Sequence, residues 1–239
     1  MNACMHVFLN TCTSVRYLPR MYTVALLAQK GGVGKTTLAL SLAVQAELSG
    51  KRAGVLDVDP QATASGWYLT RKGSGKETPI VASATESELL RQAQADAKDD
   101  GLEWLFVDTA AGVSELPAAA AAMADLLLIP CLPAIFDMDA MGPTVKLARQ
   151  SGKPAFFIVN RGRSKAINDE CALALTSAYG LPAVNTHIST RLPIPDAAQL
   201  GQALPEFVSK DQSVAKGKEE FVALWSWLKK QQAQGERAA

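Results

Sequence analysis

The chain has 239 residues, 48% of them hydrophobic, and 24 basic against 23 acidic side chains give a net charge of +1. This length supports one sizeable core, so a single domain is the default expectation. A nearly neutral chain is not attracted as a whole to DNA or anionic lipid, and any such binding needs a local patch. The four scattered cysteines form no CxxC pair, which argues against metal or disulfide frameworks and favours a reducing, cytoplasmic setting.

From Tyr22 onward, short apolar runs alternate with longer helical patterns. The apolar runs predict strands at 23–28, 53–57, 79–82, 104–108, 126–130, 155–160 and 183–188. The segments between and after them predict helices at 35–48, 87–98, 116–123, 140–150, 167–179 and 215–232. Continuously apolar strands are typical of a sheet covered by helices on both faces. The sequence therefore predicts an α/β fold with a mostly parallel, doubly wound sheet, whose ligands bind beyond the carboxyl ends of the strands.

The predicted domain occupies residues 21–232 and is followed by a polar tail at 233–239. Residues 1–20 lack the compact apolar segment and cleavage site of a secretory signal. Two interpretations stay open for this leader: a mobile N-terminal tail, or a mis-assigned start upstream of Met21. The longest apolar stretches, at 126–129 and 156–159, are far too short to span a membrane.

A glycine-rich loop lies between the first predicted strand and the first predicted helix. It reads Gln29-Lys30-Gly31-Gly32-Val33-Gly34-Lys35-Thr36-Thr37. Strand, glycine loop and helix together form the setting of a phosphate-binding loop, in which backbone N–H groups and the helix N-terminus face the phosphates. Lys35 can then reach the β- and γ-phosphates, and the Thr36 hydroxyl can ligate Mg²⁺. The usual first glycine is replaced by Gln29, and a second lysine, Lys30, follows it.

Carboxylates end two further predicted strands. Asp57 and Asp59 stand two residues apart, so that an extended backbone places both on one face, where they can address Mg²⁺ and a water. Asp108 follows the apolar residues 104–107, as required of the strand that delivers a carboxylate to the metal in phosphate-loop enzymes. The order of these motifs along the chain predicts one nucleotide site.

The run 30–37 resembles the deviant Walker A box of the ParA/MinD ATPases. The segment Asp57-Val58-Asp59-Pro60-Gln61 resembles the switch I of that family, and Asp108-Thr109-Ala110-Ala111-Gly112 its switch II. The resemblance extends from Tyr22 to about Leu228 and implies an enzyme that binds ATP and ADP and hydrolyses ATP with Mg²⁺. It further implies that Lys30 reaches across an ATP-sandwiched homodimer to the partner's nucleotide, that Asp59 positions the attacking water and that Asp57 supports the metal shell.

The same resemblance implies residues around the base. Asn160, at the end of a predicted strand, would bond to adenine, although a structural role at the strand end is equally compatible with it. Arg161 follows directly, and a proline-rich stretch with Pro193, Pro195 and Asp196 lies where relatives enclose the ring. Asp137 is expected to be structural, as the N-cap of a helix.

The resemblance is closest to small ParA-type partition ATPases. It implies an ATP-bound dimer that binds DNA of any sequence in the nucleoid of a bacterium. A centromere-binding, ParB-type adaptor would then stimulate hydrolysis. The candidate DNA contacts are Arg191, Lys216 and Lys218, with Arg161, Arg163 and Lys165 as a second basic cluster. A solvated surface charge is the competing interpretation of each of them.

Two other interpretations share the nucleotide motifs. A MinD-like ATPase would insert its last helix into membrane, and here Phe221, Leu224, Trp225 and Leu228 share one helical face. We favour a last core helix instead, because the following residues add no apolar face, and membrane binding is not expected. An ATPase that positions a protein cargo differs only in its partner. An iron–sulfur reductase of the nitrogenase type is disfavoured, because Cys131 and Cys171 lie in no matching motif.

Overall fold

The computed structural model describes residues 20–112 and 114–238. Most of the leader predicted at 1–20 therefore lies outside the described residues. The described strands form one seven-stranded parallel sheet in the order β3-β2-β4-β1-β5-β6-β7. Helices cover both faces of this sheet, and the predicted α/β class is confirmed.

The described residues form seven strands and nine helices. The strands are β1 Tyr22–Ala28, β2 Ala53–Val58, β3 Ile80–Ser83, β4 Trp104–Ala111, β5 Leu126–Cys131, β6 Ala155–Gly162 and β7 Ile188–Ser189. The helices are α1 Lys35–Leu48, α2 Thr63–Gly73, α3 Ser87–Asp99, α4 Glu115–Met123, α5 Ile135–Asp139, α6 Gly142–Ser151, α7 Lys165–Tyr179, α8 Pro193–Gln199 and α9 Gln212–Ala238.

Two hydrophobic clusters lie on opposite faces of the sheet. Alternate residues of each central strand belong to one cluster or to the other. In β1, Val24 and Leu26 belong to one cluster, and Ala25 and Leu27 to the other. All seven residues of β1 are buried. This two-sided burial is the physical reason why the central strands read as continuous apolar runs.

The structure departs from several of the predicted elements, and helix α5 at Ile135–Asp139 was not among them. The seventh strand shrinks from 183–188 to Ile188–Ser189, with only an isolated bridge at Ala183. Helix α2 was not predicted, because it carries two glycines and buries only Ala64, Trp67 and Arg71. Helix α8 was also missed, since its prolines suggest a loop, although proline is well tolerated in a first helical turn.

The last helix is longer than predicted and packs on the core. It continues to Ala238, so the predicted polar tail at 233–239 is helical over its described residues. Its predicted apolar face, made of Phe221, Leu224, Trp225 and Leu228, is buried. Trp225 packs edge-on against Trp104 with ring centroids 4.5 Å apart. The favoured interpretation as a core helix is confirmed, and no helix within the described ranges has the length and apolar character needed to cross a membrane.

Candidate nucleotide-binding site

A cleft of about 850 Å³ opens at the carboxyl ends of the central strands. Five segments line it: the glycine-rich loop with the start of α1, the loop that follows β2, the end of β4, and the segments 160–161 and 188–195. This is the edge of a parallel sheet at which ligands bind. Residues predicted for phosphate binding, catalysis and base binding, among them Lys35, Asp59 and Asn160, thus border one continuous space.

The glycine-rich loop has the backbone geometry that phosphate binding requires. Gly32 and Gly34 adopt left-handed conformations, with φ of 77° and 91°. A Cβ atom at Gly34 would lie 2.3 Å from Nδ2 of Asn160, so only glycine fits there. Gly34 is the N-cap of α1 and supplies no side-chain hydrogen bond to the helix. The first N–H groups of α1 therefore remain available for an anion.

Lys35 and Thr36 follow directly in the first turn of α1 and line the cleft. The Lys35 side chain is buried together with the acidic strand ends. Burial lowers the pKa of Lys35 from its ordinary value, and the nearby carboxylates of Asp108 and Asp59 oppose that shift. A buried ammonium group beside the loop is suited to a polyphosphate, whose charge offsets its loss of hydration.

Asp108 lies in the second half of the central strand β4 and is fully buried. Neither of its carboxylate oxygens has a hydrogen-bond partner among the residues that the structure describes. Burial raises the pKa of Asp108 to about 7, against the lowering effect of the nearby Thr36 hydroxyl. An orphaned carboxylate beside a threonine hydroxyl and a phosphate-binding loop fits a hydrated Mg²⁺, which Thr36 and Asp108 would hold. Such an ion neutralises phosphate charge when it is bound.

Both carboxylate oxygens of Asp57 have partners within the chain. Its Oδ2 accepts hydrogen bonds from the N–H and the hydroxyl of Ser65, both at 2.9 Å. Its Oδ1 accepts from the backbone N–H of Asp59 at 3.2 Å. These bonds connect the buried carboxylate to the loop that presents Asp59 to the cleft. The role in the metal shell that the resemblance implied for Asp57 stays a prediction.

Asp59 lies in the cleft wall, as predicted for the residue that meets the attacking water. Its Oδ1 accepts a hydrogen bond from the Gln61 N–H at 2.9 Å, which forms a tight turn. Ala62 follows in a left-handed conformation, with φ of 50°. Left-handed backbone at a residue other than glycine stores strain, and such strain is concentrated at functional loops.

Lys30, the other lysine of the loop, points away from the cleft. Lys30 Nζ lies 3.0 Å from Asp137 Oδ1 and 3.2 Å from the carbonyl oxygen of Phe136. Among the described residues that line the cleft, Lys35 is present and Lys30 is not. The predicted N-cap role of Asp137 is wrong, because α5 begins at Ile135 with Ala134 as its N-cap. Asp137 instead forms an ion pair with Lys30 from the first turn of α5.

Asn160 and Arg161 hold the glycine-rich loop from the side of β6. Asn160 Nδ2 donates to the carbonyl oxygen of Val33 at 2.6 Å, and Arg161 Nη1 donates to that of Gly32 at 3.3 Å. Arg161 is left-handed, with φ of 55°. Both residues line the cleft. Asn160 therefore braces the loop with its amide nitrogen, which leaves its Oδ1 for a ligand.

The proline-rich stretch contributes only in part. Ile194 and Pro195 line the cleft. Pro193 is buried at the start of α8 and Asp196 is exposed in its first turn, and neither lies among the described residues that line the cleft. Arg191 also forms its wall. Sequence reasoning assigned Arg191 to DNA, because an arginine far from the phosphate loop has no local mark of contact with the nucleotide cleft.

The candidate DNA contacts have different surroundings. The Arg191 side chain is 8% exposed, and Nη2 lies 2.5 Å from Oε1 of Glu220. Because the Arg191 side chain is buried and paired with Glu220, Arg191 is not a free surface cation. This argues against the predicted DNA contact. Lys216 is exposed and Lys218 is half-buried, and within the described part of the chain neither is in an ion pair. In the second cluster, Arg163 is exposed and Lys165 pairs with Asp169.

The fold and the site together define a phosphate-loop nucleotide-binding protein. Residues 24–204 match the family model "CobQ/CobB/MinD/ParA nucleotide binding domain", and the chain belongs to this family. Solved structures with the same fold include an ATP complex of a McdA variant from Cyanothece, with a TM-score of 0.65 and 16% identity, and a complex of MinC with MinD from Aquifex aeolicus, with a TM-score of 0.68 and 15% identity.

The relatives include proteins that partition chromosomes and proteins that distribute carboxysomes. Protein virC1 of Rhizobium radiobacter is 33% identical over 121 residues, which is 50% of this chain and 52% of virC1. Maintenance of carboxysome distribution protein A of Gloeobacter kilaueensis is 36% identical over 127 residues, which is 52% and 56% of the two chains. The chain thus spans about half the length of these curated relatives. The MinD cell division protein of Aquifex aeolicus shares the fold, with a TM-score of 0.70, 17% identity and coverage of 87% and 96%.

Proposed function

We propose that the protein is an ATP-driven DNA-partitioning ATPase of the bacterial cytoplasm, associated with the nucleoid. ATP joins two copies into a sandwich dimer, and the dimer binds DNA without sequence preference. A centromere-binding, ParB-type partner stimulates hydrolysis, which separates the copies and releases the DNA. The observation that carries the proposal is the placement of the two lysines of the phosphate loop.

Lys35 and Lys30 belong to one loop and have different surroundings. Lys35 lies buried inside the cleft, in reach of a nucleotide bound to its own chain. The Lys30 side chain is 38% exposed and is held at the edge of the loop by Asp137. Since Lys30 is turned away from its own cleft, its charge is available to a nucleotide bound by a second copy. This supports the trans role that the resemblance implied for Lys30.

The proposed hydrolysis relies on positioning and on neutralisation of charge, the two main requirements of phosphoryl transfer. Lys35 and the N–H groups of the loop hold the β- and γ-phosphates. Asp59 orients the water from the opposite wall of the cleft. A single copy lacks the charge that Lys30 contributes in trans, so it hydrolyses ATP slowly. Dimerisation completes the site, and hydrolysis removes the phosphate that holds the two copies together.

DNA binding in this proposal relies on Lys216 and Lys218 of α9, with Arg163 as a further candidate. The chain is nearly neutral as a whole, so a local basic surface must supply the attraction. Each phosphate contact should contribute about −0.9 to the slope of log affinity against log salt. A dimer doubles the contacts, which makes binding dependent on ATP and steeply dependent on salt.

The test measures DNA binding of the full chain with ATP and with ADP over a range of salt concentrations. We expect ATP-dependent binding that Lys30→Ala and Lys35→Ala both abolish, the first by loss of the dimer and the second by loss of the nucleotide. The double variant Lys216→Ala/Lys218→Ala should weaken DNA binding and keep its basal ATPase activity. Lys51→Ala, which removes an exposed cation paired with Glu103, is the matched control. Binding that is equal in ATP and ADP would contradict the proposal.

A second candidate function is the positioning of a protein cargo. It is favoured by the 36% identity to a carboxysome distribution protein. Both functions require the same ATP dimer, and they differ in the partner that stimulates hydrolysis. ATPase assays with DNA, with the protein encoded immediately downstream, and with both together separate the two, because DNA partition requires joint stimulation.

A further inference from the structure

Arg191 occupies a wall of the nucleotide cleft, away from the phosphate loop in sequence. Its Nη2 is paired with Glu220, and its Nε is buried with no hydrogen-bond partner among the described residues. The side chain packs on α9, where a Cβ atom at Gly217 would lie 2.8 Å from both Cδ and Nε of Arg191. A buried arginine that is fixed on one side and lines a cleft is suited to binding a ligand in that cleft.

Glu220 holds the guanidinium in a defined orientation. One of its carboxylate oxygens accepts from Arg191 Nη2 at 2.5 Å and from the Ser189 hydroxyl at 2.8 Å. The other accepts from the Ser189 N–H at 3.0 Å. The carboxylate therefore joins α9 to β7 and keeps Arg191 in place before a ligand arrives. Such preorganisation lowers the entropy that ligand binding must otherwise overcome.

This part of the cleft is suited to the nucleoside of a nucleotide. Lys35 and the start of α1 define where the phosphates lie, so the base and ribose must extend along the remaining walls. Those walls include two apolar side chains that can cover a flat ring, Ile194 and Pro195. Asn160 and Ile188 are partners in neighbouring strands, which brings the free Asn160 Oδ1 to the same end as Arg191.

We propose that Arg191 recognises the nucleoside part of the bound nucleotide. The guanidinium has donors only, so it binds acceptor atoms: ring nitrogens, a base carbonyl or a ribose oxygen. Glu220 acts through Arg191 as a positioning residue. The inference rests on the nucleotide site of the proposed function and replaces the predicted DNA role of Arg191 with a role in nucleotide affinity.

The test compares two probes that differ only in the nucleoside. Affinities for Mg-ADP and for inorganic pyrophosphate are measured by calorimetry on the full chain, since ADP avoids any contribution of ATP-dependent dimerisation. The main variant is Arg191→Met, which keeps an unbranched apolar side chain over Gly217 and removes every donor. Arg191→Met/Glu220→Gln also removes the carboxylate charge that would otherwise stay buried without its partner. Lys230→Met, at an exposed position farther along α9, is the matched control, and thermal melting verifies folding.

We expect both Arg191 variants to bind Mg-ADP roughly 10- to 100-fold more weakly, as for loss of a hydrogen bond to a charged group in a buried site. Their affinity for pyrophosphate and the behaviour of the control should stay unchanged. The salt dependence of DNA binding at saturating ATP should also stay unchanged in these variants. Unchanged ADP affinity would overturn the inference, and so would an equal loss of ADP and pyrophosphate affinity. ADP affinity that depends on Arg191, together with a wild type that does not bind DNA with ATP, would separate the two proposals. The proposed function would then fail, and the role of Arg191 would stand.

Discussion

The ion pair between Lys30 and Asp137 should hold back dimerisation, and Asp137→Asn is the change that tests this. The substitution keeps the size of the side chain and removes the charge that binds Lys30 Nζ at 3.0 Å. The proposed dimer needs Lys30 at the partner's nucleotide, so this pair must break in both copies before the dimer forms. Weakening the pair should therefore favour the dimer.

The expected shift in the dimerisation free energy follows from the exposure of the pair. The two side chains are 38% and 15% exposed, which places the pair near the surface class that contributes about 0.2–1 kcal/mol. Each dimer releases two such pairs, so the dimerisation free energy should shift by about 0.4–2 kcal/mol. This corresponds to a dimer dissociation constant lowered roughly 2- to 30-fold with ATP.

Sedimentation velocity with Mg-ATP over a concentration series measures this constant. An Asp59→Ala background slows turnover during the run, because the water-positioning carboxylate is absent. Asp169→Asn disrupts an exposed pair with Lys165 on α7 and is the matched control, with no expected shift. With ADP, the Asp137 variant should stay monomeric. A weaker ATP dimer in the Asp137 variant would refute the reasoning, since it would make Asp137 a contact that the dimer needs.

Three further substitutions test the site and its support. Gly34→Ala should abolish ADP binding in calorimetry, because φ of 91° and a Cβ 2.3 Å from the Asn160 amide displace the loop. Asp108→Asn should lower the rate of phosphate release on the order of 100-fold, yet it should not lower the melting temperature, since burial already disfavours the charge. Glu206→Gln breaks a buried ion pair and should cost about 3–5 kcal/mol in urea unfolding. Glu88→Gln, in an exposed pair, should change stability by less than about 0.5 kcal/mol.

Local patterns were sufficient to predict the sheet and the phosphate loop. The start and end of α1 agree with the predicted 35–48, because the glycine loop marks one end and the apolar pattern continues to the other. Continuous apolar runs located the central strands, since each is buried on both faces. Carboxylates at the ends of β2 and β4 indicated the site, because the ends of parallel strands meet at one edge.

Pairings between distant segments could not be predicted in this way. Lys30 and Asp137 are 107 residues apart in sequence, and Arg191 and Glu220 are 29 apart. From the sequence alone, Lys30 and Arg191 would each be interpreted as a solvated surface charge. Even the hydrogen bond between Asp57 and Ser65, only 8 residues apart, could not be predicted, because the helix that presents Ser65 has too weak a pattern. What the sequence leaves open is which partner a polar side chain meets, because that depends on tertiary packing.

These pairings also connect the cleft to the helix that carries the candidate DNA lysines. Asp57 holds the start of α2 through Ser65, next to the loop that presents Asp59. Farther along α2, Arg71 is buried against Glu206 and donates to the carbonyl oxygen of Gly201 at 2.9 Å. Breaking such a buried pair costs about 3–5 kcal/mol. A displacement of α2 on hydrolysis that keeps this pair must therefore carry residues 201–206 with it, and these lead directly into α9. We therefore expect the nucleotide-facing loop and the helix that carries the candidate DNA lysines to move together.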